Sequence, residues 1–312
     1  MAIIEAPYAG GNRGRSGRDL TGRVIGQYEV IGLAGKGGMS TVYKAYQRSL
    51  NRYVALKVLP DYLAADEDFA QRFQREAMAA AALRHPNILV VYDVGEDGGV
   101  QYIATEFLAG ETLDAALRKT GRLPVTRVVR ILSQVAQALD VAHAHELIHR
   151  DIKPSNIFLG PDDHVTLMDF GISKAMDTSP YTRTGLLMGT PEYMSPEQAE
   201  GLQLDRRSDL YSLGVVVYQM LSGQLPFNAP TPNAVLYAHV HHEPAPLAQV
   251  LPGFPRSVSD VVARALAKRP ADRYPTTSAF AAAFEQAVYE GNAAIGANIE
   301  RKVRMLVKDG RT

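Results

Sequence analysis

The strongest constraint on the fold is a change in apolar pattern along the chain. Residues 28–59 contain three β-rich runs, YEVIGLA, TVYKAYQ and YVALKVL, separated by glycines or polar residues as strands joined by turns are. A helical pattern covers residues 66–84, and the strand-type runs ILVVYDVGE and VQYIATEFL follow on either side of Asp97-Gly98-Gly99. From Thr112 onward helical periodicity dominates. This order predicts an α+β fold, with a small antiparallel sheet lobe followed by a larger, mainly helical lobe.

The clearest helical pattern lies in residues 125–146. Apolar residues recur there at steps of three or four, which places them on one face of a long helix. The residues of this predicted buried face are Val128, Leu132, Val135, Leu139 and Ala142.

Composition excludes several classes of function. Lysine plus arginine number 33 and aspartate plus glutamate number 33, so the net charge is zero, which argues against a protein that coats nucleic acid. The absence of cysteine excludes disulfides, iron–sulfur clusters and thiol nucleophiles. The first residues lack the basic and apolar regions of a secretory signal, and the apolar stretch at Leu213–Leu221 is shorter than the roughly 20 residues of a membrane span. We therefore expect a soluble, cytoplasmic protein.

Both ends of the chain differ from its middle. Residues 1–26 are rich in glycine and arginine and are predicted to form a flexible arm, with a basic docking segment as the alternative. Residues 290–312 form a basic tail that we expect to be solvated. The alternatives are that the tail lies on an anionic membrane or leads to a span beyond residue 312.

Two features of the first lobe indicate an anion site. The segment GKGGMSTV begins at Gly35 and precedes a strand, so it fits neither a Rossmann loop nor a Walker A loop. It is either a plain structural turn or a hairpin loop whose backbone N–H groups cover a phosphate chain. Lys57 stands inside the apolar strand VALKVL, where a buried anion would explain it, and Glu76 is a candidate counter-charge on the following helix.

The most specific signal is HRDIKPSN, residues 149–156, followed by Asp169-Phe170-Gly171. Polar and charged side chains alternate here with apolar runs that read as strands, including Leu147-Ile148. A carboxylate and a carboxamide in such turns can hold Mg²⁺ through oxygen ligands, and a second carboxylate can accept a proton from a hydroxyl.

At residues 28–289 the chain resembles the eukaryotic-like, or Hanks-type, protein kinase family. The elements follow the family's order: GKGGMSTV, VALK, a helix with Glu76, HRDIKPSN, DFG, GTPEYMSPE and DLYSLGVVVYQML. The lysine after HRDI and the segment GTPEYMSPE are typical of serine/threonine kinases. The sequence as a whole is most similar to those of bacterial serine/threonine kinases. The resemblance implies a kinase N-lobe and hinge at 27–108 and a C-lobe at 109–289, between the predicted arm at 1–26 and the tail at 290–312.

The resemblance also implies roles for single residues. Asp151 would be the catalytic base, Lys153 would lie by the γ-phosphate, and Lys57 would contact the α- and β-phosphates and pair with Glu76. Asn156 and Asp169 would ligate Mg²⁺, with Mn²⁺ as the alternative ion. The residues that would bind ATP are Gly35, Lys36, Gly37 and Gly38 in the loop, Val42, Ala55 and Phe158 around the adenine, Thr105 as the gatekeeper, and Glu106 to Leu108 in the hinge. Ser40 departs from the family pattern by replacing the third glycine of the loop, and we expect ATP binding to survive this change.

Regulation and partners follow from the same resemblance. Thr182 and Thr184 would be phosphorylated and pair with Arg150, and a second copy of the chain would be the transient partner for autophosphorylation in trans. Thr190 would lie in the segment that positions the protein substrate. Two other functions stay open: a non-catalytic, nucleotide-binding scaffold and a small-molecule kinase. A His-rich cluster at His239–Glu243 is interpreted as a surface loop at a helix end, with a metal site as the less favoured alternative.

Overall fold

The computed structural model describes residues 19–37, 40–64, 66–170 and 190–291, without the side chains at 67–69, 72 and 76. Two compact units contain these residues. The first comprises the described residues up to Lys119 and those from Val141 to Phe170; the second comprises Thr120 to Asp140 and the described residues from Thr190 onward. The lobe boundary at residue 108 stays a prediction.

A six-stranded antiparallel sheet forms the centre of the first unit, with strand order β1-β2-β3-β4-β6-β5. Its strands are β1 (Val24–Ile25), β2 (Tyr28–Lys36), β3 (Thr41–Gln47), β4 (Arg52–Val58), β5 (Val91–Asp97) and β6 (Val100–Glu106). The three predicted runs of residues 28–59 are thus β2, β3 and β4, and the predicted turn at Gly98-Gly99 joins β5 to β6. Helix α1 (Asp61–Ala64) precedes α2 (Glu67–Ala81), which packs on β5 and β6.

The two faces of this sheet are buried to different extents. On β4, Val54, Leu56 and Val58 are buried in an apolar core, whereas Ala55 and Lys57 on the opposite face are only half-buried. Side chains alternate between faces along a strand, so burying one face fixes the register and turns Lys57 away from the core. The more open face therefore carries the residues that the sequence singled out.

A second, three-stranded sheet completes the first unit. It has the order β7-β8-β9, with β7 (Glu111–Thr112), β8 (Ile157–Leu159) and β9 (Val165–Leu167). The Leu167 N–H donates to Asn87 O at 2.8 Å, and the Leu89 N–H donates to Leu167 O at 3.0 Å, so β9 is tied to the chain that leads into β5. Leu147 and Ile148 lie in irregular chain, so the strand predicted there is wrong.

Helices dominate the rest of the described chain. They are α3 (Leu113–Thr120), α4 (Val125–Ala144), α5 (Pro196–Ala199), α6 (Arg206–Ser222), α7 (Pro232–His241), α8 (Leu247–Val250), α9 (Arg256–Ala265) and α10 over residues 277–291. All five residues of the predicted buried face of α4 are buried. Helix α6 is buried on nearly all sides, as expected for a central helix, and ends at Gly223 in the left-handed conformation. The α+β prediction is confirmed. Among the described residues, no helix combines the length and apolar character needed to cross a membrane.

Candidate active site

The open face of the six-stranded sheet brings together residues from four strands. Gly35 on β2 pairs with Val42 on β3, and Val42 pairs with Lys57 on β4. In the neighbouring row, Ala55 pairs with Thr105 on β6. Directly paired residues point to the same face of a sheet, so these five predicted nucleotide-binding residues lie on one surface.

The glycine segment forms the hairpin connection between β2 and β3. Gly35 and Lys36 are the last residues of β2, and the Gly37 N–H donates to Ser40 O at 2.9 Å. A Cβ atom added at Gly35 would meet no heavy atom of the described chain within 4 Å, so the sheet is open above this residue. Gly38 lies outside the described residues. Because β2 and β3, on either side of the segment, pair as antiparallel strands, the hairpin prediction is confirmed. The role of the loop in covering phosphates stays a prediction.

Lys57 is held by a carboxylate distant in sequence. Its Nζ lies 2.6 Å from Asp169 Oδ1, and the two residues are 112 positions apart. The Lys57 side chain is 14% exposed and that of Asp169 is 40% exposed. The predicted partner Glu76 lies on α2, but its side chain is outside the described part of the structure, so the pairing of Lys57 with Glu76 stays a prediction.

The backbone at Asp169 is constrained. Its φ of 57° is in the left-handed region, which costs a non-glycine residue about 1–3 kcal/mol. The neighbours hold this conformation: Met168 N–H donates to Asn156 O at 2.9 Å, and Phe170 is 3% exposed. The surrounding contacts, rather than the backbone preference of an aspartate, therefore fix the position of the Asp169 carboxylate.

A second cluster surrounds Asp151. Lys153 Nζ lies 2.8 Å from Asp151 Oδ2, and Asn156 Nδ2 donates both to Asp151 Oδ2 at 3.0 Å and to the Asp151 backbone oxygen at 2.8 Å. The Asp151 side chain is only 12% exposed. Because a buried carboxylate needs opposite charge and hydrogen bonds, Lys153 and Asn156 together compensate for its loss of water.

His149 connects the two clusters, and sequence reasoning assigned no role to this residue. It is fully buried; its Nε2 lies 2.8 Å from Met168 O, and the Asp151 N–H lies 3.3 Å from its Nδ1. A carbonyl oxygen only accepts, so Nε2 carries the proton and Nδ1 is the acceptor. The imidazole thereby links the loop of Asp151 to the chain that enters Asp169, and its ring packs on Phe170 with centroids 4.7 Å apart.

The residues predicted to surround the adenine occupy defined positions. Phe158 is buried at the centre of β8, and Thr105 is 7% exposed near the end of β6. Glu106 N–H donates to Val90 O at 3.0 Å, and Leu108, just beyond β6, is half-buried. Their arrangement around an adenine ring stays a prediction.

The donors predicted for Mg²⁺ have suitable chemistry. Both hydrogen bonds from the Asn156 side chain to Asp151 use its Nδ2 amino group, which leaves Oδ1 as its metal-binding atom. Asp169 adds a partly exposed carboxylate, and Mg²⁺ prefers such hard oxygen ligands. Within the described ranges, no group of three or more His, Cys, Asp or Glu could hold a metal ion. The residues fit a cation that also takes ligands from water and substrate phosphates.

The predicted phosphorylation sites, Thr182 and Thr184, lie outside the described residues.

The second unit contains a buried ion pair at the end of the GTPEYMSPE segment. Arg273 donates to both carboxylate oxygens of Glu197, at 2.7 and 2.9 Å, and the exposed fractions of the two side chains are 0% and 7%. Burial raises the pKa of Glu197, but the hydrogen bonds and charge of Arg273 and the hydroxyl of Ser208 outweigh this effect, so the pKa is below its usual value. Asp209, near the start of α6, is 1% exposed.

The His-rich cluster requires a correction. His241, His242 and Glu243 are exposed, but His239 is fully buried near the end of α7, so the surface-loop interpretation is wrong for this residue. Its ring packs against Phe227 and Tyr211, which come from distant parts of the sequence. A local signal could have indicated this burial, because His239 lies three and four positions after the apolar residues Leu236 and Val235 and so shares their buried face of α7.

Comparisons with known proteins agree with this geometry. The profile of the protein kinase domain matches residues 28–284. A probable serine/threonine-protein kinase of Clostridium perfringens is 42% identical over 258 residues, which are 82% of this chain and 38% of that protein. The serine/threonine-protein kinase PknB of Mycobacterium leprae is 43% identical over 257 residues, 81% of this chain and 41% of that protein. The chain thus spans less than half the length of these two relatives.

A solved structure gives the same result for the fold. The crystal structure of the Mycobacterium tuberculosis PknI kinase domain superposes with a TM-score of 0.69 at 33% identity. The match covers 86% of this chain and 98% of that one. With the profile match over most of its length, this chain belongs to the protein kinase family.

Proposed function

We propose that this chain is a serine/threonine protein kinase that transfers the γ-phosphate of ATP to serine and threonine hydroxyls of proteins. The observation that carries the proposal is the pairing of side chains within the first unit: Lys57 with Asp169, and Asp151 with Lys153 and Asn156. Protein phosphorylation needs a cation for the phosphates, oxygen ligands for a metal, and a base beside the attacking hydroxyl.

Asp151 is the proposed base. The ammonium group of Lys153 and the amide of Asn156 hold its carboxylate, so its orientation does not depend on the substrate. In the proposed reaction the substrate hydroxyl oxygen forms a bond to the γ-phosphorus, the bond from that phosphorus to the ADP oxygen breaks, and the hydroxyl proton passes to Asp151. Lys153 would also neutralise charge on the transferred phosphoryl group.

Lys57 and Asp169 serve the nucleotide and the metal in this proposal. Lys57 lies on the same face as Gly35 and Val42, so its ammonium group can meet the phosphates of a nucleotide that lies along the open strands. Asn156 Oδ1 and the Asp169 carboxylate would hold Mg²⁺, which neutralises phosphate charge when bound. The structure pairs the Lys57 ammonium with the Asp169 carboxylate, so the phosphate-binding cation and the proposed metal ligand are neighbours.

Incubation with labelled ATP and Mg²⁺, followed by phosphosite mapping, tests the proposal. The full chain should incorporate phosphate on serine or threonine, and Asp151→Asn should lose nearly all of this activity because it removes the base. Asp162→Asn is the matched control: it makes the same chemical change at an exposed position and should keep full activity. Incorporation no greater than that of Asp151→Asn would refute the proposal. If such an inactive chain still binds ATP, the nucleotide-binding scaffold is the better description.

A second copy of the chain is the proposed transient partner. Wild-type protein should phosphorylate a size-tagged Asp151→Asn chain, at a rate that rises with the concentration of the enzyme. Thr182 and Thr184 are the proposed acceptors, so replacing both with alanine should strongly reduce activity, because a loop phosphate would no longer pair with Arg150. Full activity of the double variant would refute a regulatory role for these two threonines.

A further inference from the structure

His239 makes a complete set of hydrogen bonds in the interior of the second unit. Its Nε2 lies 3.0 Å from the backbone oxygen of Glu192, and its Nδ1 lies 2.9 Å from the hydroxyl of Tyr211. Because the Glu192 carbonyl only accepts, Nε2 must donate, and Nδ1 is left to accept from the Tyr211 hydroxyl. One neutral tautomer therefore satisfies both contacts.

The surroundings leave the imidazole little freedom to turn. Lys268 Nζ donates to the backbone oxygen of His239 at 2.8 Å, and the Phe227 ring packs edge-on against the imidazole with centroids 4.8 Å apart. Burial and the nearby Lys268 charge oppose protonation, and the pKa of His239 is lowered to about 4 despite the hydrogen bond to Glu192. At neutral pH His239 thus remains a fixed, uncharged donor.

Glu192 belongs to the segment from Thr190 to Glu197. The later part of this segment has its own attachments: the Tyr193 hydroxyl donates to Gln219 at 2.7 Å, and Ser195 caps α5. Glu197 at its end is held by Arg273. His239 supplies a side-chain contact to the backbone of the short 3-10 helix Pro191–Tyr193, directly after Thr190.

We propose that His239 is a positioning residue for the protein substrate. It acts through the Glu192 carbonyl, by fixing the start of the Thr190–Glu197 segment, and Tyr211 supports it by fixing its tautomer. The inference rests on the proposed function and on the expectation that Thr190 lies in the segment that positions the protein substrate. Loss of the donor leaves the backbone oxygen of Glu192 without its partner and frees the segment to shift, which weakens substrate binding more than ATP binding.

Steady-state kinetics with the size-tagged Asp151→Asn chain as the protein substrate test the inference. His239→Leu should raise the KM for this substrate about tenfold, the cost of one unmade buried hydrogen bond, with the KM for ATP unchanged within twofold. His239→Gln should recover most of the loss, because its amide can donate to Glu192 and accept from Tyr211. His241→Gln is the matched control: this exposed histidine lies two positions on in α7 and should behave as wild type.

The outcomes separate the inference from the function on which it rests. An unchanged KM for the protein substrate in His239→Leu overturns the inference while the kinase function stands. An equal rise of both KM values overturns it as well, since it points to a general structural role. If His239→Leu does not fold, Tyr211→Phe takes its place, because it removes the hydroxyl that fixes the tautomer of His239 and should raise the KM for the protein substrate by a smaller factor. If wild-type protein transfers no phosphate to any chain, the proposed function fails and the inference fails with it.

Discussion

Removal of Arg273 should destabilise the second unit more than any surface substitution. The Arg273 guanidinium is fully buried, and besides Glu197 it donates to the backbone oxygens of Ala267, Arg207 and Lys268 at 2.7 to 2.9 Å. Arg273→Ala leaves the Glu197 carboxylate buried without its charge partner. Breaking such a pair from one side costs about 3–5 kcal/mol, which corresponds to a fall in Tm of roughly 5–8 °C in a chain of this size.

Arg207→Ala is the matched control for this loss. Arg207 also pairs with a carboxylate, Asp205 at 2.6 Å, but the two side chains are 35% and 47% exposed. The substitution leaves the Arg207 backbone unchanged: its N–H still donates to the capping carboxylate of Asp205 at the start of α6, and its oxygen still accepts from Arg273. An exposed pair contributes about 1 kcal/mol or less, so Arg207→Ala should lower Tm by no more than about 2 °C.

Thermal unfolding followed by circular dichroism at a helical wavelength measures both variants. The double variant Glu197→Leu/Arg273→Met should recover the part of the loss that comes from the uncompensated Glu197 charge, because apolar groups can replace a buried ion pair at little cost. The three backbone oxygens remain without their donor, so the recovery should be incomplete. The reasoning is refuted if Arg273→Ala melts as Arg207→Ala does, or if the double variant is less stable than Arg273→Ala.

Three further results are expected. Gly110→Ala should lower the free energy of unfolding by more than about 3 kcal/mol, because the φ of Gly110 is 144° and the added Cβ would lie 2.1 Å from Leu159 O. Gly98→Ala is the control: its φ is also positive but the added Cβ meets open space, so it should cost about 1 kcal/mol. Urea unfolding compares the two variants. His239 has a folded-state pKa below its unfolded value, so its contribution to stability is present above pH 6.5 and is lost as pH falls towards 4. Between pH 7.5 and 4.5 the free energy of unfolding should therefore fall by about 2.5 kcal/mol more in wild type than in His239→Gln, and equal losses would contradict the assignment. Ser195→Ala removes the capping box of α5 and should lower the free energy of unfolding by about 1 kcal/mol in the same assay.

The parts of the fold that follow from local pattern could be predicted from the sequence. The β4 run alternates between core and open face because β-structure has a period of two, and that alternation alone assigns Lys57 to the less buried side. The buried face of α4 follows in the same way from its 3.6-residue period. The strand predicted at Leu147-Ile148 fails, since two apolar residues carry no period and the following left-handed Arg150 interrupts an extended chain.

The site could be predicted only as far as its motifs reach. The sequence identified Asp151, Lys153 and Asn156 as neighbours because they lie within six residues, and the structure joins them by hydrogen bonds. The pairing of Lys57 with Asp169 and the contact of His239 with Glu192 arise between residues far apart in the chain. Such contacts depend on topology, which a pattern of neighbouring residues does not contain.

The division of the chain also has a consequence during synthesis. The first unit is discontinuous in sequence. Its six-stranded sheet is complete by residue 119, but β8, β9 and Asp169 follow only after the stretch 120–140, which belongs to the second unit. At about 5–20 residues per second, the ribosome needs roughly 3–10 s to extend from residue 119 to residue 170. During this interval the nascent sheet exposes the Lys57 ammonium without the carboxylate of Asp169, and the strand pairing of Leu167 beside Asn87 is still missing. Ribosome-bound chains arrested before residue 167 should therefore be more sensitive to protease in residues 85–90 than chains released at full length.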